Sequence, residues 1–202
     1  MSAAREAVRT AYSGRSAEYI DLFGSIHAAD DRDRQRVERW ADGLDGPVLD
    51  AGCGPGHWTH HLAARGIAAA GVDQVPEFVE RARREYPDVP FRLGSIDALD
   101  EPDAALGGVL AWYSLIHHDP ATVRTPLREF ARVLKPGGGL LVGYFTGDRL
   151  EPFDHAVIAA HRWPPDALGT ELDAAGFDVL ERYEREEPGQ RAQGMLVARR
   201  RG

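Results

Sequence analysis

Residues 48–56 read "VLDAGCGPG": a short apolar run ending in an acid and an alanine, then glycines at 52, 54 and 56. Glycine loses more conformational freedom on folding than any other residue, so three in five positions require something that excludes side chains. The run before them suits a buried strand, and the pattern that follows from His57 suits a helix. A glycine turn between strand and helix sets bare backbone at the carboxyl end of the strand, where open α/β sheets bind their ligands. The expectation is a parallel sheet with a ligand crevice above residues 52–56.

The rest of the chain repeats the alternation. Strand patterns occur at 47–51, 67–73, 90–95, 108–114 and 139–145, with helical patterns at 57–65, 76–86 and 121–134. The strands are apolar almost throughout, as in a sheet covered by helices on both faces. Pro76 opens its helix where a missing N–H costs nothing, and "KPGGG" (135–139) stops the next, with Lys135 near the negative helix end. In the tail, a helix in "PPDALGTELDAAG" precedes "FDVLERYER" and "GMLVARR", two strands near enough to pair antiparallel. The first 46 residues hold two helical patterns, 3–12 and 31–42, and no strand, which reads as a helical cap on the sheet.

A chain of 202 residues suits a single domain. Its net charge of −8 argues against nucleic acid, since covering a phosphate backbone takes clustered Lys and Arg. The one basic run, Arg199 to Arg201, reads as a solvated tail. A single cysteine, Cys53, excludes an internal disulfide framework and suits a reducing compartment. The start carries charges where a secretory leader needs ~7–15 apolar residues, and "GIAAAGV" is too short to span a bilayer. A soluble cytoplasmic protein without membrane contact is expected.

Three ligands compete for the glycine turn. A phosphate loop needs Lys and then Ser or Thr after its last glycine, and here His57 and Trp58 follow. A dinucleotide fingerprint needs G-x-G-x-x-G, and the third glycine falls one place early. The third reading is a nucleoside without phosphate. Asp73, ending the second strand 21 residues after Gly52, is placed to accept from two ribose hydroxyls. Asp97, after the third strand, is placed to accept from an adenine amine, and the fourth strand ends in the aromatic and polar "WYSLIHH".

The segments "VLDAGCGPG", "GVDQVPEFVERAR", "FRLGSIDALD", "VLAWYSLIHHDP" and "LREFARVLKPGGGLLVGYF" occur in that order over residues 47–145. Together they resemble the class I S-adenosylmethionine-dependent methyltransferases of small-molecule type, similar to the ubiquinone and menaquinone C-methyltransferases. The resemblance implies a Rossmann-like α/β fold: a seven-stranded, mostly parallel sheet of order 3-2-1-4-5-7-6, strand seven antiparallel, with helices on both faces. It divides the chain into a cap (1–46), a cofactor-binding core (47–145) and an acceptor-side segment with the tail strands (146–202). It also implies S-adenosyl-L-methionine as cofactor and methyl transfer to a small-molecule acceptor.

Carried over by residue, Ala51, Gly52 and Gly54 let the methionine portion lie against backbone, and Asp50 orients that loop or meets the ammonium through water. Asp73 takes the ribose, Gln74 flanks the adenine, and the Ile96 N–H and Asp97 carboxylate read its edge. Tyr113 stands beside the methionine part. "YSGRSAEYID" resembles the family's N-terminal tyrosine segment, so Tyr12 and Tyr19 would close over the cofactor.

Plainer readings stand beside these. Tyr12 and Tyr19, seven apart, also fit one helical stripe packed on the core, and Asp97 also fits a helix cap. His57, His60 and His61 share a helix face, but no added Cys or carboxylate pattern accompanies them and no metal is expected. His117 is the preferred base, because an imidazole of pKa ~6.5 takes a proton near neutrality. His118 is expected to face solvent, by the alternation of strand residues. The aromatic segment 144–165 is expected to wall the acceptor pocket. Two other functions fit the same sheet: a nicotinamide-dependent reductase, although Lys135 is the chain's single lysine and sits in a turn, and a non-catalytic S-adenosylmethionine-binding module.

Overall fold

The structure is a computed structural model and describes residues 3–202. Its centre is one sheet. Strands β1 (Val48–Ala51), β2 (Ala69–Asp73), β3 (Phe91–Leu93), β4 (Leu106–Trp112) and β5 (Leu134–Thr146) pair in parallel in the order β3-β2-β1-β4-β5. A hairpin, β6 (Glu151–Phe153) and β7 (Ala160–Trp163), follows, and the tail supplies β8 (Phe177–Arg185) and β9 (Gln193–Arg200). β9 runs antiparallel between β5 and β8. Without the hairpin, the spatial order is the expected seven-stranded one.

Alternate residues of the central strands enter different cores, which is why the strands read as unbroken apolar runs. Leu49, Val109, Leu140 and Val142 pack with Leu127, Phe130 and Val133 of helix α6 (Arg124–Val133) and with Leu168 and Leu172 of helix α7 (Pro165–Ala174). Val48, Leu110 and Leu141 pack with Val37 and Trp40 of α3 (Asp31–Asp42) and with Trp58 and Leu62 of α4 (His57–Ala64). Leu127, Phe130 and Val133 are wholly buried, each contributing ~1.5–3 kcal/mol. The pair from the half-exposed Arg124 of α6 to Glu171 of α7 belongs to a class worth ~0–1 kcal/mol. Packing, more than charge, holds α6 down.

Several expectations shift here. Helix α6 ends at Val133, and Lys135 lies in β5 with its Nζ 2.6 Å from Asp45. Of the expected cap, α3 is a face helix of the sheet; only α1 (Ala3–Ser13) and α2 (Ser16–Phe23) lie apart from its main cores. The chain breaks between these two at Gly14–Arg15, so Tyr12 and Tyr19 sit on different helices and form no single stripe. The β6–β7 hairpin has no counterpart in the expected sheet. Pro152 denies β6 an alternating pattern, and proline in a strand is tolerated at an edge, where β6 lies. β7 pairs parallel with Phe145 and Thr146, where β5 runs on beyond the last β4 pairing at Gly143.

Candidate functional site

At the carboxyl end of β1 the backbone amides of Gly52 and Cys53 donate to the Val72 carbonyl, at 2.8 and 3.0 Å. The Gly54 amide donates to Asp73 Oδ2 at 2.8 Å, and the Val75 amide to Asp73 Oδ1 at 2.9 Å. One buried carboxylate thus ties the glycine turn to the start of α5 (Pro76–Glu85). Burial raises its pKa to about 6, against the pull of those amides. The glycines differ in what excludes a side chain. At Gly52 (φ +85°) a Cβ would stand 2.4 Å from Ser114 Cβ, and at Gly56 it would strike Phe91 and Ala82. At Gly54 (φ +53°) the nearest atom is 3.9 Å away, on Tyr19. Gly52 and Gly56 therefore serve the protein's own packing; at Gly54 the missing side chain leaves open cleft.

That cleft has a volume of about 280 Å³. Gly52, Gly54, Asp73 and Gln74 line it from the β1 and β2 ends, Ile96 and Asp97 from beyond β3, Tyr113 and His117 from beyond β4, and Tyr12 and Tyr19 from α1 and α2. Asp50 and Ala51 do not line it; both are buried behind the turn. Asp50 Oδ2 accepts from Thr59 Oγ1 of α4 at 2.7 Å, and burial raises its pKa to about 7. Its position suits holding α4 to β1 and gives it no direct path to a ligand.

Asp97 accepts from Arg5 on Oδ2 and lies 2.9 Å from His118 Nε2 through Oδ1. Burial raises its pKa, but His118 and Arg5 outweigh that and hold it below the usual carboxylate range. His118 therefore lines the cleft, contrary to the solvent-facing expectation. Strand alternation does not reach it, because β4 ends at Trp112 and residues 113–117 are a bend and turns. The break is made by Tyr113, a non-glycine residue at φ +56°. Such backbone costs ~1–3 kcal/mol and persists where the surroundings enforce it; here the Tyr113 amide donates to Gly143 O at 3.0 Å. The next residue, Ser114, has a buried Oγ in the cleft wall without a hydrogen-bond partner among the described residues.

His117 is held at both ring nitrogens. Nδ1 lies 2.9 Å from the Ala159 carbonyl, which only accepts, so Nδ1 carries the proton. Nε2 is then the lone pair, and the Tyr12 hydroxyl donates to it at 2.9 Å. Burial, with His155, His118 and His161 nearby, lowers its pKa to about 4, so the ordinary value of ~6.5 does not describe this imidazole. The aromatic segment after β5 is also not the cleft wall it was expected to be. Trp163 is buried in the main core, while Phe145 packs behind Tyr113 (ring centroids 5.0 Å) and His155 behind His117 (5.6 Å). Sequence reading missed Arg5, Ser114 and the Ala159 carbonyl. A backbone acceptor carries no sequence signal, and Arg5 lies in a helix whose approach to Asp97 is set only by the tertiary fold.

Among the described residues no group of three or more His, Cys, Asp and Glu is arranged to hold a metal. His60 stacks on Tyr86 and His61 lies 2.8 Å from Glu38. No helix among the described residues is long and apolar enough to cross a membrane.

Residues 48–138 match the family model described as "Methyltransferase domain". That segment is of the class I S-adenosylmethionine-dependent methyltransferase kind. The cofactor of that family is S-adenosyl-L-methionine. Among similar proteins, malonyl-[acyl-carrier protein] O-methyltransferase of Erwinia billingiae is 33% identical over 118 residues, 58% of this chain and 44% of that one. Demethylmenaquinone methyltransferase of Tropheryma whipplei is 34% identical over 138 residues, 66% of this chain and 56% of that one. The chain thus spans about half the length of these methyltransferases. The fold is shared with 1,6-didemethyltoxoflavin-N1-methyltransferase of Burkholderia thailandensis, at 23% identity and a TM-score of 0.82 over 100% of this chain and 92% of that one. That enzyme's crystal structure holds 1,6-didemethyltoxoflavin and S-adenosylhomocysteine.

Proposed function

We propose that this methyltransferase, acting as a single domain in the cytoplasm, transfers a methyl group from S-adenosylmethionine to a small-molecule acceptor. The observation that carries the reading is the convergence of the open backbone at Gly54 with the carboxylates of Asp73 and Asp97 on one cleft. Asp73 keeps lone pairs for two ribose hydroxyls while its amide bonds hold it in place. Asp97 and the Ile96 N–H take the adenine edge, Gln74 flanks the ring, and Tyr113 and the unpartnered Ser114 hydroxyl stand at the methionine end. Tyr12 and Tyr19 close from the helices above. Asp50 and Ala51 support the turn from behind.

The cofactor supplies an already activated methyl group, so the chain's contribution is chiefly positioning, which in well-oriented cases is worth ~7–11 kcal/mol. Ring faces of Tyr12, Tyr19 and Tyr113 stabilise positive charge by ~0.5–2 kcal/mol each and shed water from the cleft. His117 Nε2 is the group placed to take an acceptor's proton.

Calorimetric titration with S-adenosylhomocysteine tests the cofactor assignment. Binding of that nucleoside, with none of a nicotinamide dinucleotide, is the expected result, and the reverse pattern would return the reductase. Release of S-adenosylhomocysteine with any acceptor in a screen then removes the non-catalytic module.

A further inference from the structure

The Tyr12 hydroxyl on His117 Nε2 joins the helices above the cleft to the residue placed to act as base. Its geometry is tightly set. The loop carrying His117 is stitched to the β6–β7 hairpin twice: His161 N–H donates to Ile116 O at 2.8 Å, and His117 Nδ1–H donates to Ala159 O at 2.9 Å. The ring therefore has one tautomer and one orientation, and its lone pair points at a phenol. Around that phenol lie His117 itself, Tyr19 and Phe78, with ring centroids 5.5, 5.6 and 6.1 Å from Tyr12. The chain thus seats its own aromatic hydroxyl on its own base, among aromatic rings.

We infer that the acceptor is a hydroxyl on a conjugated ring, a phenol or enol, which displaces the Tyr12 hydroxyl from His117 Nε2 and is O-methylated there. This deepens the methyl-transfer reading and rests on it. The acceptor oxygen forms the new bond to the methyl carbon as the carbon–sulfur bond breaks, and that electron pair stays on sulfur as a neutral thioether. The acceptor's proton passes to Nε2 and leaves later to water. The positive charge lost at sulfur reappears on the imidazole, so the cleft holds one positive charge before and after. A protonated imidazole beside the sulfonium would add a second, and burial already disfavours it. A base of pKa about 4 takes a phenolic proton, of pKa ~10, only as the attacking oxygen gains positive charge from its new bond to carbon, and an aliphatic hydroxyl, holding its proton far more tightly, needs more of that help.

The test uses the full chain loaded with S-adenosylhomocysteine, and 4-nitrophenol as probe. Nitrogen NMR of histidine-labelled protein reads the Nε2 and Nδ1 signals of His117, assigned by their absence in His117→Gln. The probe is expected to shift the Nε2 signal while Nδ1 stays protonated. Tyr12→Phe, which keeps the ring and removes the internal competitor, is expected to tighten probe binding by ~2–10-fold, the size of one hydrogen bond. In turnover with S-adenosylmethionine, substituted phenols are expected to be methylated ahead of arylamines, thiols and aliphatic alcohols. An unmoved Nε2 signal, weaker probe binding in Tyr12→Phe, or preference for an amine or thiol overturns the inference while leaving the cofactor assignment intact. Failure to bind S-adenosylhomocysteine at all overturns the reading beneath it.

Discussion

On the β1–β2 side of the cleft, shape is set by backbone: the Gly54 and Val75 amides on Asp73, and the Gly52 and Cys53 amides on the Val72 carbonyl. On the side of α1, α2 and the β6–β7 hairpin it is set by side chains: Tyr12 on His117, Arg5 on Asp97, and edge-on or tilted ring contacts from Phe78 to Phe145. The first side consists of short strands and tight turns whose residues lie within about one βαβ unit. The second gathers residues from positions 5 to 159, on helices outside the sheet and on a hairpin at the sheet's edge. Backbone-built walls tolerate few substitutions and hold a constant ligand; ring-built walls can be re-lined without disturbing the sheet. That division suits one cofactor and a changeable acceptor.

The largest expected effect separates two glycines inside the rigid wall. Gly52→Val drives its side chain into Ser114 in a left-handed backbone position, so the protein should lose its cooperative thermal transition or express insoluble. Gly54→Val meets no protein atom closer than 3.9 Å at its Cβ, so it should fold, at a cost of ~1–2 kcal/mol for the left-handed backbone, yet fail to bind S-adenosylhomocysteine by calorimetry. A folded Gly54→Val that binds normally would remove the turn from the cofactor site.

On the ring-built side the largest effect should fall on rate. His117→Ala should lower turnover ~10²–10⁴-fold on a responsive acceptor while changing S-adenosylhomocysteine affinity no more than about twofold. An equal loss in both would mean that His117 supports the cofactor wall and that the two sides do not act separately. Next comes Asp73→Ala, expected to weaken S-adenosylhomocysteine binding at least ~10-fold, because hydrogen bonds to a charged acceptor are worth ~1.5–3 kcal/mol each. An unchanged dissociation constant would leave Asp73 a tie for the turn and nothing more.

The same division explains how much was legible in the sequence. Gly52 and Gly54 announce a left-handed turn, Pro76 a helix start, and Asp73 a strand end, each through local backbone chemistry that needs no knowledge of the rest of the fold. The tail strands 177–185 and 193–200 were likewise readable from their pattern and short connection. His118 was misread because the chain leaves strand geometry at Tyr113, whose φ no residue-type rule anticipates. Segment 144–165 reads as a wall because its aromatics are dense, but Trp163 goes to the core and Phe153 packs on Phe145. Aromatic density reports burial, and what the rings are buried against is decided by β7 pairing with the end of β5.

The smallest expected effect concerns Asp50, which stands behind the rigid wall and outside the cleft. Burial, and to a lesser degree the nearby Asp73, raises its pKa to about 7, although the Thr59 hydroxyl pulls the other way. A carboxyl whose pKa is higher in the folded than in the unfolded chain binds more protons when folded, so stability falls as pH rises between the two values. With ~3.9 for the unfolded chain, the contribution is fully present below about pH 4, declines through neutrality and is gone above pH 7. Asp73, at about 6, adds a decline of the same sign that ends sooner. Asp50→Asn keeps an oxygen to accept from Thr59 Oγ1 and cannot ionise, so it should flatten the pH 5 to 8 decline without abolishing it. Thermal melts at pH 5 and 8 measure this: the gap between the two Tm values should narrow in Asp50→Asn, chiefly by a gain at pH 8. A gap that widens, or an Asp50→Asn protein that loses stability equally at both pH values, would mean that Asp50 is ionised in the folded chain and that its charge, rather than its hydrogen bond, holds the turn in place.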